Sequence, residues 1–270
     1  SLMAVGLSLI FGVMRVINIA HGDMMVWGSY LAFVLALRLG LDPFVSFVLC
    51  AAAIFCMGVV VQRALVNRVL NAPHEMQILL MLGLALVLEN LALVIFGPDT
   101  RRTESAYGLA TVWFGPIFVD VARLITFGLA LALSCALYLF LFRSDLGKLI
   151  RAAADNPYGA LVIGADVERI YMVAFGIGAA CVGAAGALMS ALLPFSPATG
   201  FAQTVTSFNI VIIGGMGSLL GAFLGGLLVA VAESLGAVLL VPSLKELVGF
   251  VLLVLILLFR PQGLCGGKTS

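Results

Sequence analysis

The chain has 270 residues, of which 63% are hydrophobic and only 10% are charged, and its mean hydropathy is +1.22. Soluble proteins carry about 25% charged residues, and a soluble core of this size cannot enclose so much apolar surface, so the composition excludes a soluble globular protein. A net charge of +1, with no basic run beyond Arg101-Arg102, provides no field for nucleic acid, and we exclude nucleic-acid partners.

The first apolar run, Leu2 to Met14, is shorter than the roughly 20 residues that a membrane helix needs. It follows Ser1 directly, with no basic segment before it and no small-residue cleavage site after it. We therefore expect a truncated first helix rather than a signal peptide.

Apolar runs recur along the whole chain, and several of them are too short for a full span. Short runs in a membrane protein indicate broken or re-entrant helices, which are tolerated only where they are buried or line a cavity. The sequence predicts an all-α fold, a polytopic transmembrane helical bundle of about 8 membrane segments. With no flexible linker, residues 1–270 are predicted to form a single transmembrane domain. The runs lie at about 2–14, 24–39, 44–62, 77–97, 121–142, 170–193, 206–216, 218–241 and 245–259.

A polar break from Gly12 to Asp23 separates the first two apolar runs. Its candidates for a translocation path are Asn18, His21, Gly22 and Asp23. A single His beside an Asp is more often a hydrogen-bonded structural pair than a proton relay, and no third ligand makes this a metal site. Both the structural and the functional interpretation stay open from the sequence alone.

Three further polar residues interrupt the apolar runs: Glu89, Asn90 and Glu233. Carboxylates within a bilayer are costly and usually face a cavity or a partner, so these residues are candidates for the path or for hydrogen bonds between helices. The glycines around position 215 allow close helix packing or a backbone-lined path. The candidates among them are Gly214, Gly215 and Gly217.

Residues 143–169, which we call the polar segment, form the one long polar and small-residue stretch of the chain. The pattern predicts a short helix over Leu146 to Ala154, followed by a turn at Asn156-Pro157. A second short helix is predicted over Tyr158 to Ile163, and it ends at Gly164. Asp166 is placed to cap the next membrane helix. Two interpretations remain: a coupling element that docks in a cleft of an ATPase, or an ordinary solvated loop.

The C-terminal stretch from Gly263 to Thr269 resembles a phosphate-binding loop, but it is one residue short and Gln262 replaces the first glycine. Any ATP must therefore be bound by another polypeptide. The sequence contains no catalytic signature, and its five cysteines lack metal-ligand spacing. We expect no enzymatic activity, no metal and no cofactor.

Orientation follows from the Lys and Arg residues, which favour the cytoplasmic side. If the polar segment is cytoplasmic, alternation of the spans places nine of the 14 basic residues inside and leaves residues 97–120 as the longest external segment. This predicts a cytoplasmic C-terminus. The inside group is Arg15, Arg63, Arg68, Arg143, Lys148, Arg151, Arg169, Arg260 and Lys268, and the outside group is Arg38, Arg101, Arg102, Arg123 and Lys245.

Five ordered stretches resemble the H-type permease family of bacterial branched-chain amino acid ABC importers, over essentially the whole chain. Two departures are the short first helix and Cys265, which replaces the bulky apolar residue expected after RPQGL. The stretches are GLSLIFGVMRVINIAHGDMMVWGSY at 6–30, FGPDTR at 96–101, GKLIRAAADNPYGALVIGADVERI at 147–170, IIGGMGSLLGAFLGG at 212–226 and LFRPQGL at 258–264.

The resemblance implies a multi-pass subunit of the bacterial inner membrane. Its implied partners are a second permease subunit, two cytoplasmic ATP-binding subunits and an extracytoplasmic substrate-binding protein. The polar segment would contact the ATPase. Its candidate coupling residues are Gly147, Arg151, Ala152, Ala153, Ala154, Asp155, Asn156, Gly164 and Asp166.

Related permeases serve different substrates, so the resemblance leaves alternatives for the cargo. The leading interpretation is an importer of branched-chain or related amino acids, and the second is the same architecture for urea or short amides. A third, from another class, is an ion-coupled secondary transporter that uses Glu89 or Glu233.

Overall fold

A computed structural model describes residues 1–70, 72–108, 110–114, 117–239 and 244–266, and these ranges are almost entirely helical. The predicted all-α bundle is confirmed: the described ranges contain eleven α-helices, six of which are long and apolar enough to cross a membrane. The helices are α1 (Leu2–Met14), α2 (His21–Leu39), α3 (Pro43–Ala64), α4 (His74–Phe96), α5 (Val121–Arg143), α6 (Asp145–Asp155), α7 (Pro157–Val162), α8 (Val167–Leu192), α9 (Thr199–Gly214), α10 (Leu219–Leu239) and α11 (Lys245–Phe259).

The nine predicted apolar runs correspond to the nine apolar helices, and the polar segment forms α6 and α7. Several helices begin at least three residues before their apolar runs, among them α2 and α9. Helix α2 includes His21 to Asp23 as its first turn, and α9 begins at Thr199. The polar first turns of α2 and α9 pack against each other. Tertiary contacts therefore extend both helices beyond the apolar runs that predicted them.

Two short β-strands, β1 (Thr111–Phe114) and β2 (Ile117–Asp120), form an antiparallel hairpin in the long loop between α4 and α5. From the sequence only a loop was expected between these two helices. The run Thr111-Val112-Trp113 has the β-branched and aromatic composition typical of a strand. This composition could have indicated β1 from the sequence. Asp120 ends the hairpin and caps α5, because its carboxylate accepts a hydrogen bond from Ala122 N at 2.9 Å.

Helix α8 lies at the centre of the bundle and is the most buried of the six long helices. It contacts α1, α2 and α3 through glycines, which let the backbones approach closely. A Cβ on Gly178 would lie 2.8 Å from the Gly6 carbonyl oxygen, and one on Gly28 would lie 2.8 Å from that of Gly183. Small residues in α8 therefore set the spacing of the core.

Helices α4, α5 and α10 lie at the periphery and bury only a minor part of their surfaces within this chain. Their exposed side chains are mostly large and apolar, such as Val87, Val94 and Leu139. In a bilayer protein such surfaces face lipid tails or another apolar subunit, because neither requires polar side chains.

Two ends of the bundle can be distinguished by their contacts. At one end, Leu264 N donates to Ile213 O at 2.9 Å, and the turn after α9 touches Gly12 through Gly217. The polar segment lies at this same end, because Arg151 of α6 shares a cavity with Gly12 and Gly217. The C-terminal stretch up to residue 266 and the polar segment therefore lie together, while Lys268 lies outside the described residues.

The opposite end is built from the longer loops. Arg101 and Phe195 exchange backbone hydrogen bonds at 2.8 Å, and Asp42 accepts hydrogen bonds from Ser105 Oγ and Ala106 N, both at 2.9 Å. These contacts tie the loop after α4 to the α2–α3 turn and to the link between α8 and α9.

Candidate functional site

The break between α1 and α2 returns the chain from the end of α1 towards its beginning. The Nε2 atom of His21 lies 2.9 Å from the Met3 carbonyl oxygen. Gly22 N donates to Thr204 Oγ1 at 2.8 Å, and Thr204 Oγ1 donates to Ile19 O at 3.0 Å. Three helices, α1, α2 and α9, thus meet at one buried polar junction.

Several polar atoms at this junction have no hydrogen-bond partner in the described chain. Both amide atoms of Asn18 and the Nδ1 atom of His21 are buried and unpaired. Asp23 is 3% exposed, and the position of a Cβ on Gly200 would overlap its carboxylate. His21 and Asp23 form no hydrogen bond with each other, because His21 Nε2 faces the Met3 carbonyl oxygen and its Nδ1 atom is unpaired. Unpaired buried polar groups are costly and call for a functional or hydration-based explanation.

Glu89 and Asn90 lie on α4, which is held beside α2 where Trp27 Nε1 donates to Leu88 O at 3.1 Å. Asn90 is exposed and its amide donates to Leu86 O of its own helix at 2.8 Å. Glu89 is only partly buried. Neither residue therefore lies inside the buried junction.

The glycines after α9 lie far along that helix from the junction, at the end that holds the polar segment. Gly215 and Gly217 have φ values of 103° and 84°, which only glycine adopts readily. A Cβ on Gly215 would lie 2.6 Å from Gly266 N, and one on Gly214 would overlap the Gly221 carbonyl oxygen. At these positions the structure requires glycine for turning and for close packing.

Glu233 lies in a third place, between α9, α10 and α11. A Cβ on Gly249 would lie 2.9 Å from Glu233 Oε1 and 3.4 Å from Asn209 Nδ2. The Oδ1 atom of Asn209 is buried without a partner. The candidate path residues thus occupy three separate regions, and only Asn18 to Asp23 form one cluster.

The polar segment is organised by three helix caps. Ser144 Oγ accepts from Gly147 N at 2.9 Å at the start of α6, and Asn156 Oδ1 accepts from Gly159 N at 2.9 Å at the start of α7. The predicted cap by Asp166 is confirmed, since its carboxylate accepts from Arg169 N at 3.1 Å. Each cap satisfies an amide that the helix itself leaves free.

Some of the candidate coupling residues are packing residues inside this chain. Ala153 is 0% exposed, and a Cβ on Gly147 would lie 2.5 Å from the carbonyl oxygens of α5. The guanidinium of Arg151 stacks on Phe142, 4.5 Å from the ring centroid. The candidate coupling residues therefore do not share one outer face, because Gly147 and Ala153 pack inside this chain.

The outer surface of the polar segment is instead formed by residues around α7. Asp155, Asn156, Gly164 and Asp166 are exposed. Apolar side chains that the sequence analysis did not single out lie beside them, and they are strongly exposed: Tyr158 (77%), Leu161 (56%), Val162 (71%) and Ile163 (71%). The sequence could have indicated them, because they are apolar residues within an otherwise polar segment. Exposed apolar residues in such a setting indicate a surface that binds a partner.

Four of the charged residues in the segment form two local ion pairs. Lys148 donates to Asp145 at 2.9 Å and lowers the pKa of that carboxyl group, and Arg169 pairs with Asp166 at 2.7 Å. Exposed pairs of this kind contribute little stability. Within the described ranges, no three His, Cys, Asp or Glu side chains are grouped to hold a metal ion.

Comparison with known proteins gives consistent matches. The family model for the permease component of branched-chain amino acid transport systems matches residues 1–257. The high-affinity branched-chain amino acid transport system permease protein BraD of Pseudomonas aeruginosa is 30% identical over 98% of this chain and 91% of its own length. LivH of Escherichia coli, a permease protein of the same description, is 28% identical over 98% of this chain and 91% of its own length.

A second permease protein from the same bacterium matches part of the chain. LivM of Escherichia coli is 33% identical over 63% of this chain and 41% of its own length. No solved structure matches the chain significantly.

Proposed function

Because this chain belongs to the permease family of branched-chain amino acid transport systems, we propose that it is the membrane-spanning subunit of an ABC importer for branched-chain or related amino acids. The observation that carries the proposal is the match to permeases of that printed function over 98% of the chain. Residues 1–270 would act as one permease domain, and the chain would hydrolyse no ATP itself.

The importer requires partners that supply the missing functions. We propose a second permease subunit, two cytoplasmic ATP-binding subunits and an extracytoplasmic substrate-binding protein. The similarity of the chain to both LivH and LivM, two permease proteins of one bacterium, supports pairing between related permeases. The largely exposed apolar surface of α4 is available for such a pairing.

The polar segment is proposed to be the cytoplasmic coupling loop that docks on the ATPase. The support is the exposed patch of Tyr158, Leu161, Val162 and Ile163, because aromatic and aliphatic side chains surrounded by polar residues are typical of interface centres. Asp155 and Asn156 lie at its edge. Ala152 and Ala154 are only partly exposed and would contribute to the base of this surface.

This assignment places the C-terminus in the cytoplasm of a bacterial inner-membrane protein. The polar junction around Asn18, His21, Gly22 and Asp23 would lie beside the translocation path. Its unpaired buried polar atoms support a role that stability alone does not explain. Glu89, Asn90, Gly214, Gly215, Gly217 and Glu233 remain predicted path residues.

The coupling surface is tested with Val162→Asp in the complete importer, reconstituted with both permeases, the ATPases and the binding protein. A charge at the centre of a docking patch costs at least about 2 kcal/mol, so ATP hydrolysis stimulated by loaded binding protein should fall more than about tenfold. Leucine uptake should fall with it, while membrane insertion and pairing of the permeases stay normal because Val162 is 71% exposed.

Lys148→Asp is the matched control, since it also adds an acidic side chain to an exposed position of the polar segment but lies outside the apolar patch. It should keep the stimulation of the unmodified importer. Normal stimulation in Val162→Asp would contradict the coupling surface. Uptake of urea in place of leucine by the unmodified importer would contradict the proposed substrate class.

A further inference from the structure

Two arginines from distant parts of the chain line one cavity at the end of the bundle that holds the polar segment. The cavity has a volume of about 490 Å³ and lies between the ends of α1 and α5, helix α6 and the turn after α9. Arg15 follows α1 directly and has a left-handed backbone, with φ of 54°. Arg151 enters from α6. The hydroxyl-bearing residues Ser8, Tyr138 and Ser218 also line the cavity.

Neither arginine is neutralised by a protein carboxylate in the described ranges. The ion pairs there join Arg123 to Asp120, Lys148 to Asp145 and Arg169 to Asp166. Asp155 lines the same cavity but pairs with neither arginine, so the lining carries a net positive charge.

The side chain of Arg151 is also held in place without a polar partner. Its guanidinium stacks on Phe142, and its Nε atom is buried with no hydrogen-bond acceptor. A buried N–H of a charged group is costly to leave unpaired, and a fixed guanidinium plane is suited to binding phosphate. The cavity therefore has the chemistry to receive an anion.

An apolar groove of about 240 Å³ adjoins this cavity. Tyr138, Leu219 and Leu220 line both spaces, so the groove continues from the charged cavity between α5 and the helices α1 and α10. Helix α5 is the least buried of the six long helices, and Leu131 and Leu139 of the groove are 39% and 52% exposed. The groove is thus open at the lateral surface of the bundle.

We propose that the cavity and the groove together bind one anionic phospholipid of the bilayer. The phosphate lies between Arg15 and Arg151, and an acyl chain lies along the groove. Basic cavities between membrane helices at the cytoplasmic side suit acidic headgroups, and Tyr138 lies where an aromatic residue marks the interface between headgroups and tails. An apolar helix of another subunit would cover the groove but leave both guanidiniums unpaired.

The test measures lipid binding to the purified full-length chain by native mass spectrometry, with phosphatidylglycerol and phosphatidylcholine as probes. The unmodified chain should bind one phosphatidylglycerol in preference to phosphatidylcholine. Arg15→Gln combined with Arg151→Gln should weaken phosphatidylglycerol binding about 10- to 30-fold, given about 1 kcal/mol for each basic side chain near anionic lipid. Arg63→Gln combined with Arg143→Gln removes the same charge outside the cavity and should preserve the preference.

Two further variants separate the alternatives. Arg151→Lys keeps the charge and should retain most of the preference, which distinguishes loss of charge from misfolding of the double variant. Leu131→Trp fills the groove at a residue that does not line the charged cavity, and it should weaken phosphatidylglycerol binding without affecting glycerol phosphate. Equal binding of the two lipids by the unmodified chain, or phosphatidylglycerol binding unchanged by Leu131→Trp alongside tight binding of glycerol phosphate, would overturn the lipid site. The readout requires no transport, so its outcome is independent of the proposed function.

Discussion

At the residue scale, glycines decide how closely the helices of the core approach. Gly28 of α2 faces Gly183 of α8, and the neighbouring Ser29 Oγ donates to the Gly186 carbonyl oxygen at 2.8 Å. Hydrogen bonds and close backbone packing stabilise helix association in a membrane, where no hydrophobic driving force acts between helices. A single methyl group at this contact must therefore displace backbone rather than a flexible side chain.

The substitution Gly28→Ala should destabilise the purified protein by about 1–3 kcal/mol, the usual cost of overpacking. A Cβ there would lie 2.8 Å from the Gly183 carbonyl oxygen. Thermal unfolding in detergent measures the effect. Gly83→Ala is the matched control on α4, where a Cβ meets nothing within 4 Å, and it should be neutral or slightly stabilising because alanine favours helices. Equal melting temperatures for both variants would contradict this account of the core.

At the scale of single elements, α7 shows how a very short helix is maintained. It has 6 residues, Pro157 occupies its first turn, and Asn156 caps it. The chain leaves it through Gly164, whose φ is 84°. A helix this short is unstable on its own, so its cap and its packing through buried Ala160 determine how the apolar patch is presented.

We expect Asn156→Ala to fray α7, since loss of a side-chain cap costs about 0.5–2 kcal/mol. In the reconstituted importer this should reduce ATP hydrolysis stimulated by loaded binding protein, and hydrogen exchange in residues 157–162 should increase. Asn156→Asp keeps an oxygen acceptor for Gly159 N and should retain both properties. Asn156→Asp could instead show normal hydrogen exchange but lose stimulated ATP hydrolysis as fully as Asn156→Ala. That result would mean that the side-chain amide of Asn156 is itself needed at the docking surface.

At the scale of the whole molecule, the bundle has two chemically different ends. The end with the polar segment also contains Arg15, the turn after α9 and residues 260–266. Asn67, which follows α3, donates a hydrogen bond to Glu168 at 2.6 Å. Because Glu168 belongs to the polar segment, the neighbouring Arg63 and Arg68 lie at this end as well. The grouping of basic residues agrees with the partition expected for a membrane protein whose polar segment is cytoplasmic.

This topology predicts the labelling of single cysteines by a membrane-impermeant reagent, in a background without the native Cys50, Cys56, Cys135, Cys181 and Cys265. Arg123→Cys should react in spheroplasts, whereas Lys148→Cys and Arg260→Cys should react only after permeabilisation. All three positions are exposed in the fold, so access depends on the side of the membrane. The cysteine-free chain is the control for background labelling. Reaction of Lys148→Cys in intact spheroplasts would reverse the orientation.

The sequence by itself determined where the helices lie, that they are long and apolar enough to cross a membrane, and how α8 is capped. Hydrophobic runs and caps such as Asp166 act through neighbours in the chain, so these signals are local. The resemblance carried by five ordered stretches also indicated the family before any geometry was available.

The tertiary structure alone decided which faces of those helices are buried. The sequence made Ala153 and Arg151 candidate coupling residues, but only the fold shows that α6 turns them towards α1, α5 and the cavity. The same is true of the His21 contact with Met3 and of the cavity that unites Arg15 with Arg151. Each of these contacts joins residues that lie far apart in the chain. The helices are apolar on nearly all faces, so hydrophobic periodicity does not distinguish a face that packs inside the bundle from one that meets lipid or a partner.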